Sequence, residues 1–125
     1  MIFFNAANTY IGSITTTATA TAYNTSSDVR LKESIAALVG ALDVVRALRP
    51  VSFRWHADGS KGNGFLAHEL MTVVPEAVTG LPDEVHEDGS IKPQQVDHSR
   101  LIVWLVGAVQ ELAARVTSLE TQLGL

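Results

Sequence analysis

A serine and a lysine five positions apart, Ser27 and Lys32, stand in the stretch Asn24-Thr25-Ser26-Ser27-Asp28-Val29-Arg30-Leu31-Lys32. A serine hydroxyl is a poor nucleophile at neutral pH until a base takes its proton. A lysine amine can be that base when burial or a neighbouring cation favours its neutral form, and Ser–Lys pairs are a recognised variant of the serine nucleophile–base arrangement. In one extended strand these two side chains would point to opposite faces, so contact between them requires a turn or bulge. Arg30 is near enough in sequence to help neutralise the amine or to bind a carbonyl oxygen. By themselves the residues describe a solvated turn with an aspartate cap more readily than a nucleophile, because a Ser and a Lys at this spacing recur by chance.

The remaining polar residues carry weaker signals. His56, His68, His86 and His98 are scattered without metal-ligand spacing, so no metal and no cofactor is expected. Glu69, Glu76, Asp83, Glu84, Glu87 and Asp88 read as a solvated acidic face, and the Glu87–Ser90 stretch as a turn, since it lacks the spaced oxygen ligands of a calcium loop. The formal net charge of -4, with no Lys/Arg cluster, argues against a nucleic-acid partner. There is no cysteine, which excludes disulfides and thiolate metal sites. No unbroken apolar run of about 18 residues is present, so no membrane span is expected. The first ten residues lack the basic flank of a signal peptide.

Three regions must position the chemistry. The first, up to about residue 25, is Thr/Ala-rich, alternating and free of charge as far as Asp28. That pattern suits strands that need another surface to cover them. It is either a loose arm or the last piece of a β-rich body. The second region runs from about residue 28 to 97. Leu38, Ala41, Leu42, Val45 and Leu48 predict a helix stopped by Pro50. Val51, Phe53 and Trp55 predict a half-buried strand, and Asp58-Gly59 and Asn63-Gly64 a hairpin connection. The segment Gly64–Val74 is expected to return as a strand and pass into a short helix before Pro75. The stretch from there to Asp97 should be loops with short strands.

The third region is a helix with Ile102, Leu105, Val109, Leu112, Val116, Leu119 and Leu123 spaced 3, 4, 3, 4, 3, 4. This is a coiled-coil seam with Ile102, Val109, Val116 and Leu123 at a and the leucines between them at d. Arg115 at g and Glu120 at the following e can pair between parallel neighbours. Asp97 or Ser99 can cap the start. Val103, Trp104 and Val106 widen the apolar face, so the first half is expected against its own domain and the last turns against sibling helices. The heptads alone leave dimer and trimer open.

Five ordered blocks, AYNTSSDVRLKESI, ALDVVRALRPVSFRW, GFLAHELMTVVPEAVTG, QVDHSRL and VGAVQELAARV, resemble the C-terminal intramolecular chaperone, or auto-processing domain, of phage tailspike and tail fibre proteins of the endosialidase type. The likeness runs from about residue 10 to the C-terminus. It implies an α+β fold, with a β-rich N-terminal arm and a long C-terminal coiled-coil helix, assembling as a homotrimer. It implies Ser27 as nucleophile and Lys32 as base, with the Ser26–Ser27 bond cut and Asp28 and Arg30 shaping the site. Such domains often have tyrosine at the position of His98, where this chain keeps a polar aromatic.

The domains expected from this resemblance are 1–26 as the end of an upstream fibre segment, 27–97 as the chaperone and auto-processing domain, and 98–125 as the oligomerisation helix. The function implied is to trimerise, to assist folding of the upstream fibre segment of the same chain, and then to release itself. The setting implied is the host cytoplasm during virion assembly, with the upstream portion ending in the virion tail. Rival readings are a non-cleaving trimerisation module and a host-binding module whose acidic loops contact a receptor.

Overall fold

The computed structural model describes all 125 residues. They form two compact units, Met1–Ala37 and Leu38–Leu125.

The first unit is an antiparallel sheet of β1 (Ile2–Phe4), β2 (Tyr10–Thr16) and β3 (Thr21–Thr25), in the order β1-β2-β3. Thr17 N–H donates to the Ala20 carbonyl and closes the β2–β3 turn. Only Gly12 and Ser13 are buried in this sheet. Asn24 ties β3 to β2 by donating from Nδ2 to Ser13 Oγ at 3.3 Å and to Thr15 Oγ1 at 3.1 Å. Phe3, Phe4, Ile11 and Tyr23 stay exposed. A sheet so free of charge, with apolar side chains exposed on both faces, invites another surface.

The second unit begins with α1 (Ala41–Ala47). Its start is later than the apolar spacing predicts: Leu38 and Val39 lie outside the helix, and Gly40 turns the chain through a left-handed conformation at φ 75°. That conformation is open to glycine and costly for other residues. The helix ends before Pro50, which cannot continue it. β4 (Val51–Arg54) pairs antiparallel with β5 (Lys61–Gly64). Asn63-Gly64 therefore belongs to the return strand and not to the turn, which is built around Asp58-Gly59 instead. Trp55 falls outside β4 and is exposed, with its ring edge-on to Phe53.

The helix α2 (Ala67–Val73) follows, then short strands β6 (Val78–Thr79) and β7 (Gln95–Val96). Leu70, Val74, Ala77 and Leu101 are the centre of the core, with Val44, Leu48, Phe65 and Trp104 packed around it. A second cluster of Ala41, Leu42 and Ala108 meets the same tryptophan.

The last element is α3 (Ile102–Leu123), 22 residues or about 33 Å long. A 3-10 turn over His98–Leu101 leads directly into it. Asp97 caps that turn by accepting from the Ser99 amide at 3.0 Å and the Ser99 hydroxyl at 2.6 Å. Leu101, Trp104, Ala108 and Glu111 face the rest of the unit. Val103 and Val106, expected to widen that face, are exposed instead. The reason is geometric: at about 100° per residue they sit on the far side from Leu101, Trp104 and Ala108. The architecture is an α+β domain with an N-terminal β-sheet arm and a long C-terminal helix.

Candidate functional site

The chain leaves β3 and enters the candidate site without a loop. Ser26 N–H still donates to the Ile11 carbonyl at 3.1 Å, one step beyond the last paired residues of β2 and β3. Asp28 then caps a 3-10 turn over Val29–Leu31. Lys32 closes the turn, its amide donating to the Val29 carbonyl at 3.1 Å. This turn is what brings two side chains five residues apart to one side, as an extended strand could not. Lys32 Nζ donates to Ser27 Oγ at 2.7 Å.

Asp28 and Arg30 hold the turn closed. One carboxylate oxygen of Asp28 accepts from the Arg30 amide at 2.9 Å and from Arg30 Nε at 3.0 Å. The other accepts from Arg30 Nη2 at 2.7 Å. The Arg30 side chain, bound to Asp28, holds that carboxyl below the usual aspartate range, helped by the backbone bond from the same residue. The same pair raises the guanidinium above its ordinary value. Arg30 is thus committed to Asp28 through two of its donors, and the partner it would offer a carbonyl oxygen is reduced to what remains.

A groove of about 500 Å³ runs beside the Ser26–Ser27 peptide, lined by Tyr10, Ser26, Ser27, Asp28, Arg30 and Leu31. Ser26 is half-buried, whereas Ser27 and Lys32 are exposed. A lysine base works through burial or a neighbouring cation. Within one chain the Lys32–Ser27 hydrogen bond is made between two side chains that are open to water.

The expected oligomerisation residues form a continuous free seam. Ile102, Leu105, Val109, Leu112, Val116, Leu119 and Leu123 are between 48% and 73% exposed. They lie roughly 100° around α3 from the face that packs on its own unit. By length and composition the segment His98–Leu123 is also enough to cross a membrane. Its midpoint argues otherwise: Gln110, Glu111 and Arg115 lie in it, and charged groups at bilayer depth are costly.

Glu111 is the residue that sequence reading missed. Its two carboxylate oxygens accept from the backbone amides of Ala41, at 2.9 Å, and Leu42, at 3.0 Å. It therefore caps α1 from 70 residues away, and no local pattern announces that. Gly107 allows the same approach: a Cβ there would stand 2.7 Å from the Ala41 Cβ. A second ion pair, Arg49 with Glu69 at 2.6 Å, edges a groove of about 250 Å³ beside Phe65 and Leu66. The histidines stay apart, and no three metal-ligating side chains converge.

Residues 27–79 match the model of the family described as chaperone of endosialidase. The match opens on Ser27 and closes at the end of β6, so the QVDHSRL and VGAVQELAARV blocks lie beyond it. No curated protein matches the chain.

Proposed function

Because residues 27–79 match the chaperone-of-endosialidase family, we propose that the chain is the self-releasing intramolecular chaperone of a phage tail fibre or tailspike. Three copies gather through the α3 seam, assist folding of the upstream segment of the same chain, and then cut themselves free between Ser26 and Ser27. The observation that carries this reading is the 2.7 Å bond from Lys32 Nζ to Ser27 Oγ across a capped turn, at the residue where the family match begins.

The chemistry is one turnover on the protein's own backbone. Lys32, as the free amine, takes the hydroxyl proton while Ser27 Oγ attacks the Ser26 carbonyl carbon. The Ser26–Ser27 C–N bond breaks and the proton passes to the Ser27 nitrogen. An ester now joins the Ser26 carbonyl to Ser27 Oγ. Water hydrolyses it, leaving a Ser26 carboxylate and a free Ser27 amine and hydroxyl. Attack within one chain needs no encounter, and well-oriented intramolecular reactions reach effective concentrations of about 10⁵–10⁸ M. Attack on a sibling chain gives the same products. Asp28 and Arg30 hold the turn, and neither exchanges a proton.

Assembly supplies the missing enclosure. Ser27 and Lys32 are open to water in a single chain, so a lone subunit holds its cut in check. The chemical boundary at 26/27 falls inside the first compact unit. The chaperone and auto-processing domain then spans 27–97 and the oligomerisation helix 98–125. Cleavage belongs to virion assembly in the host cytoplasm, after which the upstream portion stays with the tail.

The exposure of the pair also favours one rival, an assembly module whose serine is inert. Denaturing mass spectrometry over time separates the two. Wild type is expected to lose a fragment ending at Ser26, while Ser27→Ala and Lys32→Ala stay whole with unchanged native mass. Cleavage at the wild-type rate in both variants removes the pair from the mechanism. A wild type that assembles and never cuts supports the inert module.

A further inference from the structure

We infer that the last rung of the β2–β3 hairpin positions the scissile peptide, and that Gly12 is the residue that lets the rung form. This rests on the self-processing reading and adds a positioning residue on the upstream side of the cut.

The Ser26–Ser27 peptide is held from both ends. Downstream, the capped turn and the Lys32–Ser27 bond fix Oγ. Upstream, the Ser26 amide is fixed by the Ile11 carbonyl at 3.1 Å. The carbon under attack lies between those anchors, in Ser26 itself. Its distance and angle to Oγ are therefore set by where β2 holds the residue before the cut.

Gly12 sits at the preceding rung, paired with Thr25, and is buried. A Cβ at Gly12 would collide with the backbone carbonyl oxygen of Asn24. A backbone atom cannot swing aside as a side chain does, so any larger residue pushes β2 and β3 apart next to the cut. Asn24, on the next rung opposite Ser13, adds two side-chain bonds to β2, at Ser13 and Thr15. A three-stranded sheet with so little buried surface is marginal, and the rung opens when the sheet does. With the rung open, Ser26 turns freely and the reaction loses its fixed approach. The cut thus reads whether the strands immediately upstream have folded. The residues placing the electrophile, Ile11 and Gly12, lie on the upstream piece, from which the chaperone parts at the cut.

The experiment uses the full chain and follows cleavage only in the assembled fraction. Gly12→Ala is expected to slow the cut by roughly 10- to 100-fold, the loss that follows from a misplacement on the order of 1 Å. Asn24→Ala introduces no clash and is expected to slow it roughly two- to five-fold. The pH midpoint of the rate should stay at the wild-type value in both, because the base is untouched. In a Ser27→Ala background, which keeps the chain whole, amide exchange at Ser26 should quicken in the same order as the rates fall. Should Gly12→Ala fail to assemble, Asn24→Ala alone carries the test. Wild-type rates in the assembled variants, or a Ser26 amide that exchanges freely in the Ser27→Ala protein, overturn the inference and leave the Ser27–Lys32 reading intact. A wild-type chain that never cuts overturns both.

Discussion

Replacing Glu111 by alanine removes the cap of a helix that lies 70 positions away in sequence. The two amides it serves belong to Ala41, fully buried, and Leu42, 6% exposed. Water reaches such groups poorly, and Gly40 offers α1 no side-chain cap of its own. Hydrogen bonds to a charged partner contribute about 1.5–3 kcal/mol each, and an orphaned buried donor costs about 1–3 kcal/mol. Glu111 is itself only half-buried, so partial rehydration trims the sum to about 3 kcal/mol. Glu111→Gln keeps one acceptor oxygen and loses the charge that favours a helix N-terminus, worth about 0.3–1 kcal/mol. Its cost should be smaller, about 1–2 kcal/mol. The assay is urea unfolding followed by circular dichroism, at one protein concentration because assembly stabilises by mass action. A Ser27→Ala background keeps every chain the same length. Thermal melts should fall by at least about 10 °C for the alanine variant, given the scaling for domains of this size. Native mass should not change, because Glu111 points away from the heptad seam. An alanine variant within about 0.5 kcal/mol of its parent would falsify the cap as a source of stability.

Other consequences are sharper in sign than in size. Val109→Asp should fold as a single chain, since Val109 is 65% exposed there. It should fail to assemble, because a charge buried unpaired in a helical seam costs several kcal/mol per chain; native mass reads this, and cleavage should fall with it. Gly107→Ala sets two effects against each other: helix propensity favours alanine by about 1 kcal/mol, while overpacking against Ala41 costs about 1–3 kcal/mol. Net destabilisation in urea is expected, and a stabilised variant would contradict the close approach of α1 and α3. Asp28 has its carboxyl held low by Arg30, so the cap of the 3-10 turn is complete above the ordinary aspartate range. It is lost as pH falls through the lowered value. Exchange of the Arg30 amide should rise in acid beyond its intrinsic dependence in wild type, and Asp28→Asn should remove that extra rise.

Much of the fold was legible because its signals are local. The alternation of the first 25 residues, the stop at Pro50, the alternation of Val51 and Phe53 and the short helix before Pro75 all rest on periods and breakers within a few residues. Where local chemistry offered two uses, the reading strayed. Asn63-Gly64 has the composition of a turn, yet its pairing with Ser52 and Val51 makes it a strand. Leu38 fits the helical period, yet Gly40 breaks the chain before the helix begins.

The candidate site divides along the same line. The types and spacing of Ser27 and Lys32, and the heptad seam from Ile102 to Leu123, are properties of the sequence. A period of 3.5 residues is written into the chain whatever it packs against. Which side of α3 packs on its own unit was not written there, since Trp104, Val103 and Val106 are equally apolar on the page. Tertiary packing chose Trp104 and left the seam free, because Gly107 and Ala108 let α1 approach and Glu111 has two bare amides to satisfy. The bond between Lys32 and Ser27 likewise needed the turn that Asp28 and Arg30 close, and the Ser26 amide needed the strand pairing that holds it. A sequence lists donors and acceptors; only folding decides which of them meet.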